Sequence, residues 1–243
     1  MKIRADLHIH SCLSPCGSLE MSPSAIVERA VSAGLGLIAI TDHNSALNCP
    51  ALERICSARG DICAFYGMEI TSMEEVHLLA LFDTADAALD FGSFIYSHLP
   101  DIPNDPERFG DQVYVDEEEN ILGEVDRYLG TAVDLSIDDI GAHTHARGGL
   151  FIPSHIDRDL FSMISQLGFL PDGSYDAIEL SRHFLRRSND ISSVNPQGYP
   201  VITSSDAHFL EGIGSAGVIV DADEISVAGL SDALRRGAVT PFF

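Results

Sequence analysis

Asp6-Leu7-His8-Ile9-His10 is the stretch that decides how this chain is read. It closes an apolar, β-branched run, Lys2–His8, with the pattern of a strand. In a strand, residues i and i+2 share a face about 6.6 Å apart, so His8 and His10 point the same way and can reach one cation together. Further runs of this kind are Leu37–Thr41, Ile62–Tyr66, Val76–Phe82, Leu150–Pro153, Ala177–Leu180 and Val201–Thr203. Chemistry gathers at their ends, as Thr41-Asp42-His43, Gly67-Met68-Glu69, Pro153-Ser154-His155 and Ser204-Ser205-Asp206-Ala207-His208, with His77 near the start of the fourth. One histidine at a strand end is ordinarily a satisfied core residue, but the whole set calls for a common cause. Carboxyl ends of parallel strands converge on one face of an α/β fold, so one metal site would explain them all. Imidazoles mixed with carboxylates suit Zn, Mn or Fe and suit Ca or Mg poorly.

Working outward, the 243 residues are 45% hydrophobic, enough for one large domain spanning 1–243. Helical patterns alternate with the strands, which points to α/β architecture with parallel strands. One helix opens at Ser22-Pro23 and carries Ile26, Ala30 and Val31 on one stripe; a last one runs from about Ser226 to Arg236 before Gly237. The stretch 84–147 breaks the rhythm with a helical piece, Ala85–His98, a Pro-rich Leu99–Pro106 and an acidic turn at Asp116–Glu119. A helix then opens at Ser136, with Asp139 completing a capping box. This predicts a mostly helical, lid-like insertion. Fourteen basic against 37 acidic residues give −23, which argues against duplex DNA and anionic membrane as partners. The start lacks an apolar leader, and the longest apolar run falls far short of the ~20 residues of a spanning helix. Five cysteines without zinc-ribbon spacing fit free thiols, and the expected location is cytoplasmic.

These ordered motifs resemble those of the PHP (polymerase and histidinol phosphatase) family over nearly the whole chain outside the insertion. The resemblance implies a distorted (β/α)7 barrel, up to three divalent metals (Zn, Mn or Fe) and hydrolysis of phosphoesters. Carried over by position, His8, His10, Glu69 and Asp206 match ligands of a first metal. Glu69 would bridge to a second, completed by His77 and His155, while His43 and His208 would hold a third. The loop ligand of that third metal is typically His or Asp in the family, but Ser11-Cys12-Leu13-Ser14-Pro15-Cys16-Gly17 has neither. Cys16 is the candidate, ahead of Cys12, because a thiolate suits Zn or Fe.

Metal-activated hydroxide would then attack phosphorus, with Glu69, Asp206 and His208 at the reacting centre. The cations outweigh the negative charge of Glu69, Asp206 and the thiolate, so phosphate is attracted despite the acidic surface. Asp6 and Asp42 would orient ligand imidazoles. Arg158, Arg182 and His183 would bind substrate phosphate, against the plainer reading of surface ion pairs. His143 and His145 fall on different faces of a helix and cannot chelate together. The implied substrate is a small phosphorylated molecule such as a nucleotide or short oligonucleotide. Alternatives are a small-metabolite phosphatase or a non-catalytic metal-binding module. Hydrolysis through a carboxylated lysine ranks low, since the one lysine is Lys2.

Overall fold

A computed structural model describes residues 1–187, 190 and 194–243. In chain order the elements are β1 (Lys2–Ile9), α1 (Pro23–Ser32), β2 (Leu37–His43), α2 (Cys49–Ser57), β3 (Cys63–Thr71), β4 (His77–Phe82) and α3 (Ala85–Ser97). There follow α4 (Pro106–Phe109), β5 (Val113–Val115), β6 (Ile121–Glu124), α5 (Ile137–Ala146), β7 (Leu150–Pro153) and α6 (Met163–Leu167). The last are β8 (Ile178–Ser181), α7 (Arg182–Arg187), β9 (Val201–Ser204), β10 (Gly217–Asp221), α8 (Val227–Arg235) and β11 (Val239–Phe242). A mixed sheet is ordered β11-β10-β1-β2-β3-β4-β7, and β8-β9 form a separate parallel pair; just past β9, Ala207 bridges to Ile9 at the end of β1.

The α/β class of the expected distorted (β/α)7 barrel stands, and its strands form a curled, seven-stranded mixed sheet with a separate parallel pair. β4 runs antiparallel to β3, and β10 antiparallel to β1. The first reversal has a simple cause. Residues 72–76 are too few for the crossover a parallel strand needs, so they close a hairpin. That reversal also puts His77, at the start of β4, opposite Thr71 at the end of β3.

Alternation of period two sorts each strand between two cores. Ile38, Ile40, Met68, Ile70, Leu78 and Ala80 pack under α1, α2 and α3. Leu37, Ala39, Phe65, Leu79 and Leu81 face the other way, with α8 packed beside them. Continuing that second parity along each strand reaches His43, Glu69 and His77. β1 needs one correction to join in: between Asp6 and Ile9 it spends three residues where β2 spends two. This bulge moves Ile9 to the helix-covered core while Ala5 and Leu7 stay on the opposite side. His8 and His10 are thereby turned to the face shared by the other chemical groups.

The insertion is less helical than expected. Val113–Val115 and Ile121–Glu124 form a hairpin, because β-branched residues flank a turn that Asp116 closes by accepting from the Glu118 and Asn120 amides. Asn48 ties the hairpin down by accepting from the Val115 amide at 2.9 Å. The capping box at Ser136 and Asp139 forms as expected. Gly110, at φ 100°, lets the chain approach Pro15, whose carbonyl a Cβ there would strike. No helix among the described residues is long and apolar enough to cross a membrane.

Candidate metal centre

Six imidazoles and two carboxylates from six strand ends meet in one cluster. Glu69 lies at its centre. Its Oε1 is 3.1 Å from His77 Nδ1, 3.1 Å from His155 Nε2 and 3.3 Å from His8 Nε2; its Oε2 is 3.4 Å from both His10 Nε2 and His43 Nδ1. Asp206 Oδ1 is 3.3 Å from His10 Nε2 and 3.5 Å from His8 Nε2. The Nε2 atoms of His8 and His10 are 3.2 Å apart.

The donor set fits divalent cations. Donors at about 2.05 Å from a tetrahedral ion stand about 3.3 Å from one another, which is the spacing seen here. Two imidazole nitrogens facing each other at that distance need something positive between them. His155 Nδ1 is also buried without a hydrogen-bond partner, and His43 Nδ1 and His77 Nδ1 face the Glu69 carboxylate without a well-aligned hydrogen bond. Three groups of donors lie within cation reach: His8-His10-Glu69, His43-Glu69-His77 and His10-Cys16-His43-His208.

Neighbouring side chains aim the imidazoles. Ser11 N–H and Oγ–H donate to Asp42 at 2.7 and 2.5 Å, and Ser14 Oγ–H donates to it at 2.7 Å. The Ser14 oxygen can then only accept, so His10 Nδ1 carries the proton of their 2.9 Å bond and His10 Nε2 faces the cluster with its lone pair. Asp42 therefore acts on His10 through Ser14. Asp6 touches no imidazole; it accepts from the amides of Ser205 and Gly214, both at 2.9 Å, and so holds the loop that carries Asp206. Burial pushes the Asp6 carboxyl up to about 6 despite those bonds.

Charge in the cluster is divided. Burial opposes the charged form of His8, yet Glu69, Glu179 and Asp206 outweigh it and hold the imidazole well above its usual range. Burial and then the charge of His10 push His43 well below its usual range and bring His208 down to about 4. Glu69 stays far below the usual carboxylate range, since His77 and His8 overcome its burial. Cys16 lies within donor reach of His10, His43 and His208, and partial burial with the carboxylates of Glu69 and Asp206 pushes its thiol up to about 12. Two cluster residues sit in the left-handed region without being glycine, His155 at φ 26° and Asp206 at φ 50°. Such backbone persists only where the surroundings hold it, as they do for a site that must aim a ligand.

Glu179 is the residue that sequence reasoning missed. It lies buried in β8, accepts from His8 Nδ1 at 3.0 Å and takes the His155 amide on the same oxygen, Oε2. Its signal was a carboxylate between Ile178 and Leu180, where a buried strand should be apolar. Loss of such a partner typically lowers metal affinity 10- to 100-fold. Glu179→Gln is therefore expected to weaken Zn binding by about that factor, measured by competition with a chromogenic chelator; unchanged affinity would show that His8 needs no such hold.

A cavity of about 610 Å³ opens on the cluster and is walled by Arg158, Arg182 and His183 together with Asp206 and His208. Arg158 Nη1 pairs with Asp206 Oδ2 at 2.5 Å, and Arg182 Nη1 donates to Ser215 Oγ at 3.1 Å. No described residue of 84–147 is among those walling this cavity. His145 pairs with Asp176 and His143 packs on Phe94, away from the cluster.

A curled mixed sheet whose rim is lined by histidines and carboxylates makes this an α/β protein built to hold metal ions. Residues 6–161 match the PHP domain family and residues 194–239 the PHP-associated family; the chain belongs to the PHP family of metal-dependent phosphoesterases. No curated protein matches it. Among solved structures it resembles the lesion-specific endonuclease EndoQ of Pyrococcus furiosus (19% identity, TM-score 0.70, covering 99% of this chain and 58% of that one). It also resembles Endonuclease Q in complex with a 27-mer duplex carrying an abasic lesion at the active site (18%, 0.70, 97% and 57%). A third is a two-domain protein of Bacteroides vulgatus containing a predicted PHP-like metal-dependent phosphoesterase (19%, 0.59, 100% and 65%). The chain thus spans about three-fifths of the length of these proteins.

One expectation falls here. Net acidity argues against duplex DNA, yet Endonuclease Q, of the same fold, holds a duplex substrate with an abasic lesion at its active site. Net charge averages a whole surface, whereas binding follows the local field, which bound cations would dominate.

Proposed function

We propose that the chain hydrolyses phosphate esters of nucleotides or short oligonucleotides. In this reading His8, His10, Glu69 and Asp206 hold one cation, Glu69 with His77 and His155 a second, and His43, His208 and Cys16 a third, the ions being Zn, Mn or Fe. The carrying observation is that a cluster of cation donors and three groups suited to phosphate, Arg158, Arg182 and His183, share one cavity. Bound cations would supply an acidified water and offset the charge building on the phosphoryl oxygens.

The chain's own residues do the rest. Glu69 and Asp206 keep their negative charge through burial because imidazoles surround them, so they stay competent as ligands. Ser14, Asp42 and Glu179 fix which nitrogen of His10 and His8 faces inward. Arg158, half-exposed at the rim, steadies Asp206 with one nitrogen and has further N–H groups with which to fork onto a phosphate. Arg182, also in the cavity wall, is anchored by donating to Ser215 Oγ.

The test is a screen of Mn-supplemented protein against nucleoside monophosphates, dinucleotides, single-stranded and duplex oligonucleotides, and sugar phosphates. Turnover concentrated on nucleotide esters is expected. A charged hydrogen bond of roughly 1.5–3 kcal/mol means Arg158→Ala should raise KM about 10- to 100-fold. A metal-loaded protein that cleaves no phosphate ester would overturn the reading.

A further inference from the structure

Among the described residues lining the site cavity, the hydrocarbon side chains are Ala207 and Phe209. Ala207 is buried and its carbonyl takes the His10 amide. Phe209, next to His208, is 61% exposed, and no other described ring stacks on it. Elsewhere near the site an aromatic ring is used for packing, as Phe161 is against His77 at 4.7 Å. An isolated exposed phenyl is unremarkable on an outer surface, but here it forms the apolar face of an otherwise charged cavity. Its neighbour on the same wall is Glu211, a carboxylate that disfavours phosphate and can accept from an amino group. The two ends of a bound ligand are thereby distinguished: anion toward the cluster and Arg158, neutral and flat toward Phe209 and Glu211.

We propose that Phe209 is the platform on which the base of a nucleotide stacks while its phosphate lies at the metal cluster. This rests on the nucleotide-esterase reading and deepens it by naming a specificity residue. Stacking on an aromatic side chain tolerates every base, because each has a π face. It gives no advantage to a phosphate ester that lacks a ring.

The chain contains no tryptophan, so Phe209→Trp installs a single indole reporter at this wall. With Zn-loaded protein, adenosine 5′-monophosphate should quench the indole emission saturably, and ribose 5-phosphate should not. In kinetics, Phe209→Ala should raise KM for the nucleotide about tenfold, leave ribose 5-phosphate unchanged and be rescued by Phe209→Tyr. Saturable quenching without hydrolysis would keep the platform and defeat the esterase reading. Hydrolysis with no quenching, or equal KM changes for both esters, would defeat the platform and leave the esterase standing. Neither quenching nor hydrolysis would defeat both.

Discussion

Glu69→Gln is expected to lower kcat/KM at least about a thousandfold, a loss of roughly 4 kcal/mol of transition-state stabilisation. The substitution keeps size and shape in a side chain that is 1% exposed, so the fold should survive. What changes is charge. Both Glu69 oxygens are shared among five imidazoles, His8, His10, His43, His77 and His155, at 3.1–3.4 Å. An amide offers one weak acceptor there and one NH₂ group, which cannot ligate and would compete for the nitrogen lone pairs. Elemental analysis should show at least one ion lost per chain. The group formed by His10, Cys16, His43 and His208 does not include Glu69, so a remaining ion would report that site. A Gln variant with full metal content and full turnover would remove Glu69 from the centre of the reaction.

The donors at the site were legible because strand ends are where a period-two pattern stops being apolar and becomes chemical. His43, Glu69 and His77 follow from simple alternation with Ala39, Phe65 and Leu79, once strand directions are known. Directions were the difficulty. A short connection at 72–76 forces β4 to run backwards, and it is this reversal that makes a histidine at a strand start equivalent to one at a strand end. The bulge in β1 was invisible for another reason: nothing local marks it, and only pairing with β2 shows that one residue is extra. Glu179 could have been found, since a carboxylate inside Ala177-Ile178-Glu179-Leu180 has no business in a buried strand without a partner. The hairpin of the insertion was missed because its strands are three and four residues long, too short for alternation to register. Strands β10 and β11 went unread as well, although Val218 and Val220 face the same core as Leu37.

Removing the metals is expected to lower the melting temperature by roughly 8–16 °C. A ligand that binds only the folded state at about a thousand times its Kd stabilises by about 4 kcal/mol. For a chain of about this size each kcal/mol is worth about 2–4 °C. The structure shows why the folded state alone should bind: donors from β1, β2, β3 and β4, and from the ends of β7 and β9, meet only when the sheet and the β8-β9 pair are assembled. Without cations, the buried carboxylates are balanced only by whichever imidazoles take up protons: against their burial, Glu69 and Asp206 are held well below the usual carboxylate range, while His8 is pushed up and His43 down. Calorimetry after dialysis against a chelator, then with Zn, Mn, Mg or Ca restored, separates this site from the general attraction of a −23 surface for cations. Zn or Mn should recover the full shift because imidazoles predominate among the donors; Mg and Ca, which prefer oxygen, should recover little. Melting curves that superimpose with and without chelator would mean that these side chains hold no ion, and the phosphoesterase reading would lose its chemical centre.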